Sequence, residues 1–259
     1  MLVDTHCHLT YPGLFEETQA VIARATAVGV TRIVTIGTQV GDHFKTLSVA
    51  RKHAEVFAAL GIHPHHAGET EEGYEAFIEN NIRGNSKVVA LGECGLDYHY
   101  DYAPKLLQKG VFINQLEIAR RLGVPVILHV REAHADALQI MRDFPELKFV
   151  VHCFTGTTDE CEAWLAMGAY VGITGIVTYK NAGNVRDSAK LVQADRLLVE
   201  TDAPYLSPEP VRKVKVNEPA HVAHTARFLA ELRGATFEEL AHQTTENAGR
   251  FYGEGLLAP

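Results

Sequence analysis

Short apolar runs recur along the chain, each followed by a longer stretch with helical spacing. Eight runs stand at Leu2–His6, Arg32–Gly37, Val56–Gly61, Val88–Glu93, Pro125–His129, Lys148–His152, Ala169–Ile173 and Leu197–Thr201. Most are rich in Val, Ile and Leu and barely alternate in polarity, as parallel strands covered on both faces do. Between them, Gly13–Val28 carries Leu14, Thr18, Val21, Ile22 and Ala25 at helical spacing and stops at Gly29. Lys105–Leu122 repeats the pattern with Leu106, Phe112, Ile113 and Leu116, and stops at Gly123; glycine commonly ends a helix in this way. The spacing predicts further helices over 42–54, 72–82, 132–143, 158–167 and 184–194. Two more, Pro219–Leu232 and Thr236–Phe251, close the chain. The last opens on Thr236-Phe237-Glu238-Glu239, which fits a capping box. Eight strand–helix alternations without a flexible linker predict one α/β domain over 1–259, a (β/α)8 TIM barrel with an additional C-terminal helix. An open doubly wound sheet would want a glycine-rich phosphate loop after the first strand, and Thr5-His6-Cys7-His8 is nothing like one.

Composition narrows the partners. The 259 residues are 46% hydrophobic and 22% charged, ordinary for a globular protein. No apolar run reaches the roughly 18 residues a membrane helix needs. Met1-Leu2-Val3-Asp4 has no basic region leading into an apolar stretch. The four cysteines, at 7, 94, 153 and 161, form no CxxC and fit a reducing compartment. A cytoplasmic location, no membrane and no obligate protein partner are expected. The net charge of −8 argues against holding duplex DNA by broad phosphate neutralisation, so any nucleic-acid contact must be local.

In this barrel, chemistry belongs at the carboxyl ends of the strands. There stand His6 and His8, His63 and His65, Glu93, His129, His152 and Asp202. Side chains two apart on a strand share a face, so His6 and His8 can both aim into the mouth while Cys7 turns toward the helices. Four histidines and two carboxylates are too many for one tetrahedral zinc and suit two ions with a bridging group. Glu93 is the expected bridge. His6, His8 and Asp202 would complete one site, and His129 and His152 the other. Mixed imidazole and carboxylate ligands fit zinc, manganese or nickel better than calcium, without choosing among them. Two divalent ions less two carboxylate charges leave the mouth positive, which suits an anionic substrate. Water activated there would lose its proton to Asp202.

Asp4-Thr5-His6-Cys7-His8, Gly61-Ile62-His63-Pro64-His65, Gly92-Glu93-Cys94-Gly95-Leu96-Asp97-Tyr98, His152-Cys153-Phe154-Thr155-Gly156, Glu200-Thr201-Asp202-Ala203-Pro204-Tyr205 and Asn217-Glu218-Pro219 resemble the TatD family of metal-dependent deoxyribonucleases, along the whole chain. The resemblance implies a cytoplasmic hydrolase using two divalent metal ions (Zn, Mn, Mg or Ni) on phosphodiester bonds. Its activity would be chiefly 3′–5′ exonuclease on single-stranded DNA or RNA ends. It implies the ligands His6, His8, Glu93, His129, His152 and Asp202, with Glu93 and Asp202 as catalytic residues and His63 and Arg131 on the substrate phosphate. Two positions depart from the family pattern: Val216 stands where arginine usually precedes Asn-Glu-Pro, and Cys94 where isoleucine is usual. Either a phosphate or loop contact is lost at Val216 or Lys213 or Lys215 substitutes for the arginine, and the swap at Cys94 is expected to concern packing alone.

Other candidates are weaker. Tyr98, His99, Tyr100 and Phe154 could stack a base or simply line a loop. His65 and His66 read as solvated or capping. Arg212, Lys213 and Lys215 could touch a backbone or form a solvated face. The alternative activity is cleavage of an amide or ester, as in an aminoacyl-tRNA deacylase. Barrel amidases of this type often bridge their metals with a carboxylated lysine at the end of strand 4, where Glu93 stands here. A non-catalytic metal or nucleic-acid binding protein fits less well, since the ligand set and Asp202 are intact.

Overall fold

A computed structural model describes residues 1–70 and 72–258. Eight parallel strands run in the order β1 to β8: Leu2–Cys7, Val30–Gly37, Val56–Leu60, Val88–Asp97, Val126–Arg131, Phe149–Val151, Tyr170–Ile173 and Leu197–Val199. The ring closes between β1 and β8 through a parallel bridge of Cys7 with Ala203, and the amides of His8 and Asp202 donate to the carbonyls of Ala203 and His6. Helices α1 to α8 return the chain outside the barrel: Thr18–Ala27, Val40–Lys52, Tyr74–Arg83, Lys105–Leu122, His134–Met141, Thr158–Ala166, Gly183–Leu191 and Val222–Arg233. The predicted barrel is thus the observed one. α1 starts at Thr18 rather than Gly13, because residues 11–17 form turns, with the Gly13 amide donating to Glu16.

The strands bury both faces, which explains their weak alternation. Val34, Ile36, Ala59, Ala90, Ile127, Val150 and Leu198 fill the barrel interior. Ile33, Ala58, Leu60, Leu91, Leu128, Val151 and Val199 face the helices. α9 (Phe237–Tyr252) is the extra C-terminal helix, and Thr236 caps it in the predicted box with Glu239. Its Ala248, Phe251 and Tyr252 join the interior cluster, and the Tyr252 hydroxyl donates to the Thr5 carbonyl at 2.8 Å. α9 therefore plugs the floor of the barrel.

This inside–outside register aims the polar residues. His129 follows Ile127 by two and His152 follows Val150 by two, so both continue the inward face into the mouth. β4 would not do this unaided. Leu91 and Cys94 both face the helices although they are three apart, and the pairing with β5 shifts between them. That irregularity turns Glu93 inward. Gly95 makes it possible: its φ is +144°, and a Cβ there would stand 2.0 Å from the His129 carbonyl oxygen. Only glycine lets β4 and β5 approach so closely. Cys7 points to the helices, as expected, and so does Cys94.

Candidate metal centre

The structure brings His6, His8, Glu93, His129, His152 and Asp202 together at the barrel mouth. Glu93 stands at the centre, 3% exposed. Its two oxygens serve different neighbours. Oε1 lies 3.8 and 3.5 Å from the Nε2 atoms of His6 and His8. Oε2 lies 2.9 Å from His152 Nε2 and 3.5 Å from His129 Nδ1. Asp202 Oδ1 closes the first group, 3.6 Å from His6 Nε2 and 3.3 Å from His8 Nε2.

Those first-group distances run from the outer limit of a hydrogen bond to beyond it. They match the edge of a coordination polyhedron: two ligand atoms about 2.1 Å from one ion at a tetrahedral angle stand about 3.4 Å apart. The ring of His6 is fully buried and stacks on His152 at 4.0 Å, yet both its nitrogens lack a partner. Such a group is costly unless something not part of the chain satisfies it. A divalent ion fits that description, and the donor set suits one. The second group is tighter, with His129 Nδ1 3.3 Å from His152 Nε2. His63 also belongs to it, since its ligand atom, with those of Glu93 and His129, falls in a set mutually within 4.8 Å.

Partners behind these residues fix their tautomers. Asp97, at the end of β4, accepts from His129 Nε2 at 2.9 Å and from His65 Nε2 at 3.0 Å. With the proton on Nε2, His129 offers the lone pair of Nδ1 to the mouth. Asp97 also accepts from the amides of His99 and Tyr100, which ties the following loop to the same carboxylate. On the other side, Glu200 accepts from the Cys153 amide at 2.6 Å and lies 3.5 Å from His152 Nδ1. Asp4 is buried beneath and accepts from the amide and hydroxyl of Thr201, the residue before Asp202. Cys153 and Asp202, at φ +46° and +53°, hold left-handed conformations that non-glycine residues seldom adopt outside functional turns.

Electrostatics keep the centre charged. Burial alone would raise the Glu93 carboxyl, but the surrounding His152, His63 and His129 hold it well below the usual carboxylate range. Burial drives His6 down, with His152 beside it adding to the effect. His152 goes the other way: against burial, Glu93 and Glu200 favour its protonated form.

The remaining candidates sort themselves by contact. Arg131 lines the mouth without an ion pair among the described residues, its guanidinium 4.9 Å above the Tyr100 ring. His63 Nδ1 accepts from the His65 amide, which leaves Nε2 free for the mouth. His65 is neither solvated nor a cap, since Asp97 binds it. His66 pairs with exposed Glu69. Tyr98 is occupied: its hydroxyl donates to Asp136 and Lys105 covers its ring. Phe154, 2% exposed, packs with His134 away from the opening. Arg212 stacks on Tyr179 at 3.6 Å and does not line the mouth, and neither do Lys213 and Lys215. Val216 is exposed at the surface, and Glu218 is gripped by Arg24 through Nε and Nη2. The roles of Asp97, Glu200 and Asp4 escape sequence reading. All three stand within the sequence motifs, at the start of Asp4-Thr5-His6-Cys7-His8, at the start of Glu200-Thr201-Asp202 and in Gly95-Leu96-Asp97-Tyr98, but nothing in those motifs says what they support.

Imidazoles and carboxylates ringed at the carboxyl end of a (β/α)8 barrel define the class, a metal-dependent hydrolase. The particular kind is plain from comparison: the chain belongs to the TatD related DNase family, whose pattern matches residues 3–253. It is 39% identical over 254 residues to YabD of Bacillus subtilis, an uncharacterised metal-dependent hydrolase, covering 97% of this chain and 99% of that one. It is 38% identical over 258 residues to the protein of Erwinia tasmaniensis named 3'-5' ssDNA/RNA exonuclease TatD, covering 97% and 99%. The crystal structure of YJJV, a TatD homolog from Escherichia coli K12, superposes with a TM-score of 0.92 at 29% identity, covering 100% of this chain and 98% of that one. Among the described residues no helix is long and apolar enough to cross a membrane.

Proposed function

We propose that this protein is a metal-dependent phosphodiesterase that removes nucleotides from single-stranded DNA or RNA ends in the 3′–5′ direction. The observation that carries the reading is the division of Glu93: one oxygen faces His6 and His8, the other His129 and His152. A carboxylate so placed would let Glu93 hold two divalent ions at once. His6, His8 and Asp202 would complete one site, and His129 and His152 the other. When bound, such ions lower the pKa of water and polarise a phosphoryl oxygen.

The chain supplies the rest. Asp202, in contact range of His8 and open to the mouth, takes the proton of the attacking water. Arg131 and His63 hold the phosphate, the former with a guanidinium fork suited to two phosphate oxygens. The acidic surface disfavours broad duplex contact, and a concave mouth admits a free strand end better than a duplex interior. The exonuclease name of the Erwinia relative supports the substrate. The test is digestion of matched single- and double-stranded oligonucleotides with Mg²⁺ or Mn²⁺. Single strands should shorten from the 3′ end, and preference for duplex interiors would overturn the reading. Assayed at metal concentrations at which elemental analysis shows full loading, Asp202→Asn should lose about 10²- to 10⁴-fold in kcat, the usual weight of a positioned base.

A further inference from the structure

The described chain includes nine tyrosines, and they divide by position. Tyr74, Tyr170 and Tyr252 are buried, and Tyr98 and Tyr179 are half-buried with bonded hydroxyls. The other four, Tyr11, Tyr100, Tyr102 and Tyr205, are 41, 42, 67 and 52% exposed, and all four line the mouth. None of their hydroxyls bonds to another described residue. An aromatic ring left in water gains nothing for the fold, so four of them around one cavity call for an occupant.

They form two pairs. Tyr11 and Tyr205 meet edge to face at 5.8 Å, on the loops after β1 and β8, and Tyr205 lies 6.3 Å from the ring of His8. Tyr100 and Tyr102 lie 5.3 Å apart on the loop after β4, 5.4 and 4.7 Å from the ring of His65. In a ring ordered β1 to β8, the β4 rim is opposite the β8–β1 rim. The pairs therefore flank Glu93 from two sides of a cavity of about 860 Å³, within the range that encloses a small ligand. Arg131 already covers Tyr100, so the freer rings are Tyr102 on one rim and Tyr205 on the other.

We infer that each rim seats one nucleobase, so that the preferred substrate carries an unpaired base on both the 5′ and the 3′ side of the bond being cleaved. The inference rests on the nuclease reading above. A ring can stack only on a base that has left its duplex neighbour, so the two platforms would reject paired ends. They would equally discriminate against a strand lacking a base on either side of the bond. Stacking is indifferent to base identity, so sequence preference should be weak.

The test uses a dinucleotide, which has a single bond to cleave, and two counterparts with a tetrahydrofuran abasic residue in the 5′ or the 3′ position. Either abasic substrate should show KM raised about tenfold or more with kcat little changed, from the usual strength of base–aromatic stacking. Tyr205→Leu should erase the penalty at one position and Tyr102→Leu at the other, while Tyr205→Phe and Tyr102→Phe keep it. A second readout needs no turnover. In metal-free protein, 2-aminopurine placed in either position should be quenched on binding, and each Leu variant should restore one signal only. Abasic KM values within twofold of the parent, or Leu variants that weaken both positions alike, overturn the platforms while leaving the nuclease reading intact. Failure to bind or cleave any nucleotide substrate overturns both.

Discussion

At the scale of single residues, Asp97 is the most informative. One carboxylate orients His129, binds His65 and anchors the loop that bears Tyr100. Asp97→Asn retains the shape and removes the charge that holds the proton on His129 Nε2. Metal affinity should fall about 10- to 100-fold with circular dichroism unchanged, as for other residues that hold a metal-binding histidine. The His6-x-His8 pair is legible from sequence because strand periodicity alone sets it. Asp97 is not, because its value lies in a contact between β4 and β5 that no local pattern encodes. His134 offers a test of another kind. Its Nδ1 accepts from the indole of Trp164, the only tryptophan, and burial holds its pKa below the ordinary value. At this one group the folded chain then binds fewer protons than the unfolded chain just below pH 6.5, so the contribution of His134 to stability falls as pH drops through that range. His134→Gln retains an acceptor. It should flatten part of the loss in urea midpoint between pH 7.5 and 5, with Trp164 fluorescence following the same midpoint.

At the scale of elements, β4 and α9 decide the most. The predicted strand ended at Glu93, but β4 runs on to Asp97. The apolar run breaks at Gly92 and Glu93, and the pairing of the later residues with β5 depends on Gly95, a tertiary matter. β6 and β8 instead stop short, at Val151 and Val199, so His152 and Asp202 stand on the turns beyond them. The sequence pattern carried these strands too far, to His152 and Thr201, and did not show that Glu200 and Asp4 support the segments beyond them. α9 was legible as a helix from its capping box, though not as a plug. Phe251→Ala empties part of the barrel floor and should cost about 3–5 kcal/mol in denaturant unfolding. The mouth is built on the opposite end, so the remaining folded protein should keep its kcat.

At the scale of the whole molecule, an acidic protein gathers a cluster of imidazoles and carboxylates at one end of its barrel. His6 is stable in that setting only with a partner for its ring. Metal loading should therefore stabilise the fold. Chelation should lower Tm by about 5–10 °C in a 259-residue chain, the equivalent of removing an ion held at a hundred times its Kd. Calorimetry with EDTA and with Mn²⁺ added back would check it, and an unchanged Tm would count against ion binding by these residues. The barrel itself was readable because eight covered strands leave a strong periodic trace. The mouth was readable where its residues follow directly on those strands; of the loop tyrosines only Tyr100 stood out as a stacking candidate, and Tyr11 and Tyr102 carry no signal of their own.

The plugged floor has a further bearing on turnover. A vessel with a single doorway cannot pass a polymer through itself. Whatever is cut must back out along the route by which the strand came in. Released fragments then contend with the next strand for the same threshold, so inhibition by product, competitive with substrate, follows from a filled interior and the terminal helix packed beneath it.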